Sequence, residues 1–302
     1  MNEADVIAFI RAHFPGGAAL TDDCGAIPSP PPGHQLLVTT DLMEDGQHFR
    51  RDWHPPELLG RKLLNVNLSD LDASGARPVG FTLTLALGRD LDPDWLTAFL
   101  KGLATAAVDL DVPVLGGDTV GRATGLGLGI TAFGHASRWL HRQNLQVDDV
   151  LYVDQPLGAS LRGLRKLQAG QRWDRSAPDP DLAAHLDPSP RLGLGLALAA
   201  LDGVSGCIDL SDGISKDLRM VAEASGLSIR LEPGLTPDEL QGGEDYARCF
   251  GSRLPQADLE SRLGVPLRPV GLAVPREGAS LLAYDGSSWR PLQDLSFDHF
   301  AP

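Results

Sequence analysis

The stretch CIDLSDGISKDL, residues 207–218, runs from an apolar Cys-Ile pair into Asp209, Ser211 and Asp212, turns at Gly213 and continues with helical spacing. A strand, a tight turn and a helix make up the repeating step of an α/β protein. The joint carries two carboxylates and a hydroxyl. Charge left unpaired there is costly to bury, so a positive partner is expected beside it.

The same alternation extends upstream. HQLLVTTD (34–41) reads as a strand, ELLGRKLLNVNLSDLDASGA (57–76) as a long helix ending near Gly75, and VGFTLTLAL (79–87) as a strand with Val79, Phe81, Leu83, Leu85 and Leu87 on one face. In DPDWLTAFLKGLATAAVDL (92–110), Asp92 is placed to cap a helix whose first residue is Pro93. VPVLGGD and the glycine-rich GLGLGITAFG follow as strands. GLGLG (125–129) alternates at period two, which favours a strand packed closely on its neighbour over a phosphate loop. The N-terminal segment is an amphipathic helix with Val6, Ile7, Ile10 and Phe14 on one face, unlike a secretory signal.

A polar segment at 135–149 precedes VLYVDQPLG (150–158), the first strand of a second unit. The expected domains are therefore 1–137 and 138–302. The second holds a helix after Gly158, a Pro/Asp-rich loop (177–190), an apolar helix RLGLGLALAAL (191–201) and a strand LSIRLEP (227–233). PSPPPG (28–33) is a stiff surface loop.

Composition narrows the function. The chain has 302 residues, 42% of them hydrophobic, with no 18-residue apolar run, so no membrane span and a cytoplasmic location are expected. Three scattered cysteines outline neither a disulfide framework nor a zinc site. A net charge of −14 argues against a nucleic-acid or anionic-membrane surface.

Six aspartates lie beside Gly, Ser, Thr or another acid at strand ends, helix boundaries or inside a buried helix: Asp23, Asp41, Asp70, Asp118, Asp209 and Asp212. On the helix around Asp70, leucines occupy most of the circumference, and Asn67 with Asp70 forms a polar notch at i, i+3. The chain has four lysines, so arginine or a metal must neutralise most of these acids. An all-oxygen donor set favours Mg²⁺, which bridges carboxylates to phosphates. Phosphate transfer is the natural chemistry, and the side-chain-free corner Gly116-Gly117 suits a phosphate. Taken singly, each Asp reads as a cap or turn residue, Thr39 and Thr40 as strand residues, and His48 as a satisfied hydrogen-bonder. No Walker pattern occurs.

Taken together, DDCG, TTD with DGQHF, NLSDLDASGARP, LGGDT, IDLSDG, GGEDY and the terminal FDHF resemble the thiamine-monophosphate kinase family, in the superfamily of aminoimidazole ribonucleotide and selenophosphate synthetases. The resemblance runs from Asp22 to Phe300. It implies a two-domain synthetase-like α/β (α+β) fold. The N-terminal sheet-plus-helices domain would bind ATP and Mg²⁺ and pair in a homodimer, and the C-terminal α/β domain would complete the active site. It further implies ATP-dependent, Mg²⁺-assisted phosphorylation of thiamine monophosphate, with Asp212, Asp118 and Asp70 catalytic. Asp23, Thr39, Thr40, Asp41, Asp70, Asp118, Asp209 and Asp212 would be ligands of several Mg²⁺ ions. Gly117, Asp118, Arg142 and Ser211 would contact ATP, and His48, Glu244 and Phe297 the thiamine moiety. Three positions depart from the family pattern: Thr21 replaces a glycine, Arg122 is displaced by one residue and left unassigned, and Phe297 stands where tyrosine is common. The rivals are another ATP-dependent synthetase of the superfamily and a non-catalytic nucleotide- or cation-binding relative.

Overall fold

A computed structural model describes residues 2–293, which divide into two compact units. Among the described residues, unit 1 comprises 2–71, 76–137 and 172–178, and unit 2 comprises 72–75, 138–171 and 179–293. Phe297 lies outside the described residues. Among those described, no helix is long and apolar enough to cross a membrane.

Unit 1 contains α1 (Glu3–His13), β1 (Gln35–Glu44), α2 (Pro56–Ala73, its last two residues in unit 2), β2 (Arg77–Gly88), α3 (Pro93–Asp109), β3 (Val114–Arg122) and β4 (Leu126–Ala136). Its sheet runs β1-β4-β2-β3, with β2 and β3 parallel and the other pairs antiparallel. Asn2 and Asp5 form a reciprocal cap on α1, at 3.0 and 2.8 Å. Val6, Ile10 and Phe14 are buried, but Ile7 is 42% exposed and leaves the face expected for it, because it sits beside the buried stripe and not on it. Asp92 caps α3 by accepting from the Asp94 N–H at 3.0 Å, with Pro93 next. The Gly-Leu run is strand β4, as its period-two pattern requires.

Alternation on β1 divides its side chains. Thr39 and Asp41 pair in register with Ala132 and Ile130, on the buried face that also carries Phe81, Leu83 and Leu85. Leu36, Val38 and Leu42 point the other way and are 42%, 63% and 56% exposed.

Unit 2 contains β5 (Val150–Val153), α4 (Ala159–Gln168), α5 (Pro180–Leu186), α6 (Leu194–Ala199), β6 (Val204–Leu210), α7 (Ile214–Ser225), β7 (Leu227–Leu231), α8 (Pro237–Gln241), β8 (Ala247–Ser252), α9 (Gln256–Leu263), β9 (Arg268–Pro275), β10 (Leu281–Tyr284) and β11 (Trp289–Pro291). Its seven strands run β11-β10-β7-β9-β5-β8-β6, and β7–β10 is the parallel pair. Both units are mixed α/β. The Pro/Asp-rich stretch expected as a loop holds α5, because Asp179 caps it through the Asp181 and Leu182 N–H groups and Pro180 starts it. The apolar run 191–201 yields only the short α6, entered through Gly193 at φ 95°.

Under β8 lies a buried ion pair. The Arg248 guanidinium, fully buried, donates to Asp72 at 2.7 Å, and Asp72 also accepts the N–H groups of Gly193 and Gly195 at the start of α6. The Arg248 N–H donates to Asp154 at 2.7 Å, and its register partner on β6 is Asp209. Burial works to depress the Arg248 pKa, yet the neighbouring Asp72 and Asp209 charges hold it above its ordinary value.

Candidate active site

In unit 1 the expected notch forms between β1 and α2. The Thr39 hydroxyl donates to Asp70 at 2.7 Å, and the Asp41 N–H donates to the carboxamide oxygen of fully buried Asn67 at 3.0 Å. The Asn67 amide in turn donates to the Leu63 carbonyl at 2.9 Å, which locks its orientation. Thr39, Asp41 and Asp70 are each half-buried. The hydroxyl of Thr40 does not join them. Alternation turns it to the other face of β1, where it meets the Ile130 carbonyl and Thr131 at 3.1 Å each.

Asp118 is exposed on β3 and pairs in register with Thr84. With β4 and β2 between them, β1 and β3 lie about 14 Å apart at the usual strand spacing, so Asp118 does not enter the notch. Gly117 is fixed by packing: a Cβ there would lie 2.2 Å from the Leu83 carbonyl oxygen. Asp23 is exposed, its N–H bonded to Asp22 at 2.8 Å. Its loop is pinned at Gly25, where a Cβ would lie 1.8 Å from the Leu115 carbonyl oxygen at the start of the Gly-Gly-Asp corner. His48 accepts the Glu44 N–H at Nδ1, 3.0 Å away. This makes Nε2 its protonated nitrogen and gives it the hydrogen-bonding role expected of a lone histidine. Arg122, left unassigned from sequence, pairs with Glu44 at 3.0 Å across Gly127.

In unit 2 the opening stretch forms β6, the Ser211-Asp212-Gly213 corner and α7. Asp209 is buried. Asp212 is half-buried and pairs with Lys216 at 2.8 Å, which supplies a positive partner the sequence reading had not assigned. It does not cap the helix. The fully buried Asp217 accepts the N–H groups of Asp212 and Gly213 at 3.1 Å each, and Gly213 has φ 103°. Burial, then the Asp212 and Asp209 charges, push the Asp217 pKa well above the carboxylate range. Arg142 is exposed in the short 3-10 turn Arg142–Asn144.

GGEDY docks on this corner. The Glu244 N–H donates to the Ser211 carbonyl at 2.7 Å, and the Tyr246 N–H to the Leu210 carbonyl at 2.8 Å, with left-handed φ values of 61° and 50° at Glu244 and Tyr246. Asp245 accepts the N–H groups of Gly158 and Ser160 at 2.6 and 3.3 Å, at the start of α4. Its burial, which outweighs those bonds, raises its pKa to about 6. Asp217 and Lys216 were both readable at i+5 and i+4 from Asp212. Asp245 was quoted with its motif but given no role.

Among the described residues, no three His, Cys, Asp or Glu side chains stand close enough to hold a metal ion by themselves. The donors are nonetheless all oxygen, and the notch presents two half-buried carboxylates. That fits Mg²⁺, which takes one or two carboxylates, waters and substrate phosphates to complete its shell.

Residues 21–136 match the family described as AIR synthase related protein, N-terminal domain. The thiamine-monophosphate kinase of Escherichia coli K12 is 35% identical, over 93% of this chain and 91% of its own. The crystal structure of the thiamine-monophosphate kinase of Stenotrophomonas maltophilia K279a is 30% identical with a TM-score of 0.76, covering 93% of this chain and 96% of its own. A structure described as AaThiL complexed with AMPPCP and TMP, 24% identical, shares the fold with a TM-score of 0.77 over 99% of this chain and 97% of its own. With this identity sustained over nearly the whole length, the chain belongs to the thiamine-monophosphate kinase family.

Proposed function

We propose that this chain phosphorylates thiamine monophosphate to thiamine diphosphate with ATP. The observation that carries the reading is the Glu244–Ser211 main-chain bond, which docks the motif assigned to thiamine on the motif assigned to ATP. A relative with AMPPCP and TMP bound supports the same substrate pair.

An oxygen of the acceptor phosphate attacks the γ-phosphorus of ATP, the bond to the β,γ-bridging oxygen breaks, and ADP leaves with that electron pair. The acceptor monoester is already largely ionised at neutral pH, its second pKa being about 6, so no general base is needed. His48, protonated at Nε2, serves as a donor to the thiamine moiety. Ser211, Gly117 and Arg142 position ATP, and Glu244 and Phe297 orient the vitamin. Asp23, Asp41, Asp70 and Asp118 of unit 1 and Asp209 and Asp212 of unit 2 are the carboxylates assigned to Mg²⁺, with Thr39 beside Asp70 and Thr40 left to its main chain. When bound, Mg²⁺ supplies charge neutralisation for two mutually repelling polyanions. Catalysis is then a matter of position and field.

The dimer belongs to the same reading. Leu36, Val38, Leu42 and Val120 leave apolar area exposed on the unit 1 sheet, suited to a second copy. Val38→Glu is expected to halve the mass seen by light scattering.

The direct test is chromatographic detection of thiamine diphosphate from purified protein, alongside ADP release with and without thiamine monophosphate. Product is expected with Mg²⁺, none in EDTA, and recovery when Mg²⁺ is returned. ADP release indifferent to thiamine monophosphate would favour another enzyme of the superfamily, and turnover in EDTA would remove the metal from the mechanism.

A further inference from the structure

His185 is a buried histidine to which neither the motifs nor the mechanism gives a task. It lies on α5, where Leu182, His185 and Leu186 form the buried face. Its backbone is held tightly, since a Cβ on Gly163 of α4 would lie 2.1 Å from the Asp181 carbonyl oxygen and 3.0 Å from the His185 Cβ. The ring has little room to move. Its Nδ1 stands 3.1 Å from the Glu244 carboxylate and 3.1 Å from the Ser160 hydroxyl at the start of α4.

A carboxylate only accepts, so the nitrogen facing it must carry the proton: Nδ1–H donates to Glu244 Oε2, with the Ser160 oxygen as a second neighbour. Glu244 is thus held at two points. Its N–H is fixed on Ser211 by the bond that sets its left-handed backbone, and its carboxylate is turned by a ring clamped between α4 and α5. The carboxylate is about a quarter exposed, enough to meet a ligand, while the histidine behind it is almost fully buried.

We propose that His185 is a positioning residue for Glu244, fixing the direction in which that carboxylate meets the amino-substituted pyrimidine ring of thiamine monophosphate. The proposal rests on the assignment of Glu244 to the thiamine moiety. It makes α5, in the stretch read from sequence as a loop, part of substrate selection. Ser160 steadies the ring from the opposite helix, and Asp245, adjacent to Glu244, ties the same α4 terminus to the motif.

The two carboxamide replacements distinguish a donor at Nδ1 from bulk. Asparagine can place an N–H near the Nδ1 position, whereas glutamine reaches past it. His185→Gln is expected to raise KM for thiamine monophosphate about tenfold, the loss of one hydrogen bond to a charged group, with KM for ATP and kcat within about twofold. His185→Asn should return KM to within about threefold of the starting protein. Glu244→Gln is the control for the underlying assignment and should raise the same KM at least as much; if it does not, Glu244 does not touch thiamine monophosphate and the assignment falls first. With that control in place, a His185→Gln protein of unchanged KM, or one in which both substrates' KM values rise together, overturns the proposal. If His185→Gln does not fold, His185→Ala takes its place and the double variant His185→Ala/Glu244→Gln decides. A KM no higher than that of Glu244→Gln alone supports coupling, and a further independent rise refutes it.

Discussion

The notch between β1 and α2 and the corner between β6 and α7 both gather aspartates where a strand meets a helix, but they hold them differently. In the notch the contacts span 31 residues from Thr39 to Asp70 and 26 from Asp41 to Asn67: a hydroxyl donates to the Asp70 carboxylate, and a carboxamide oxygen accepts the Asp41 main-chain N–H. In the corner these side-chain contacts lie within five residues, Lys216 pairing with Asp212 and Asp217 collecting the N–H groups of Asp212 and Gly213, while Glu244 and Tyr246 dock on its carbonyls from farther along the chain. A local arrangement carries its own counter-charge in one helical turn. A long-range one orients the Asp70 carboxylate and the Asp41 main chain from a separate element. The difference is one of range: the notch depends on the pairing of β1 with α2, and the corner draws its side-chain contacts from the first turn of α7.

The strongest way to break this comparison is to remove one charge from each region. Asp70→Asn and Asp212→Asn should each lower kcat on the order of 10²–10³-fold, the scale of losing one electrostatic stabiliser, with little change in melting temperature. Asp70→Asn keeps an oxygen for the Thr39 hydroxyl, so its loss of turnover would report the charge alone. If one variant keeps near-normal turnover, that region is structural and the six carboxylates do not act as a set.

Asp245 sharpens the contrast, because it is a carboxylate held by main-chain N–H groups alone among its identified hydrogen bonds. Its pKa rises to about 6 in the fold, from about 4 in an unfolded chain. The folded state therefore binds its proton more tightly, and the stability it contributes is fully present below about pH 4 and lost as pH rises through 6. The total is about 3 kcal/mol, from two pH units at 1.36 kcal/mol each. Asp245→Asn should lose this dependence, so its melting temperature relative to the unsubstituted protein should rise between pH 4 and pH 7. Parallel melting profiles would show that Asp245 titrates normally.

How much of this was legible follows from the same distinction. The Asp92 cap, the period-two Gly-Leu strand and the i, i+3 spacing of Asn67 and Asp70 on α2 are local patterns and stand in the structure as read, whereas the β1 groups that meet that pair are 26 and 31 residues away. Thr39 and Thr40 were read as equivalent hydroxyls, but the strand period separates them onto opposite faces. The helix α5 was hidden by the prolines and aspartates that start and cap it. The Arg248–Asp72 pair spans 176 residues and leaves no mark in either local sequence. His185 was passed over for a similar reason, since its meaning depends on Glu244, 59 positions later.

A smaller effect tests the notch by itself. Thr39→Val keeps the shape and β-branching of the side chain but removes the donor to Asp70, both groups being half-buried. The expected cost is about 1.5 kcal/mol, that of one hydrogen bond to a charged acceptor, measured by urea unfolding without Mg²⁺. A loss near zero would mean the hydroxyl orients Asp70 without stabilising the fold.

The smallest effect on stability is expected at Lys216, and it discriminates between two chemistries. The ion pair with Asp212 is 2.8 Å long, but both side chains are about 30% exposed, so solvent screens it and Lys216→Met should change stability by less than about 1 kcal/mol. Lysine in the first turn of α7 also faces the positive end of the helix dipole, which reduces the net gain further. The informative quantity is the Mg²⁺ requirement. If the ammonium competes with a cation for Asp212, its removal lowers the Mg²⁺ concentration for half-maximal rate about threefold, the equivalent of a modest exposed ion pair. If the ammonium instead meets phosphate oxygens, KM for ATP rises and the Mg²⁺ requirement does not fall. The first result would leave Asp212 a metal ligand with a resident placeholder. The second would make the corner a cationic site in its own right, and its resemblance to the notch would end at the presence of aspartate.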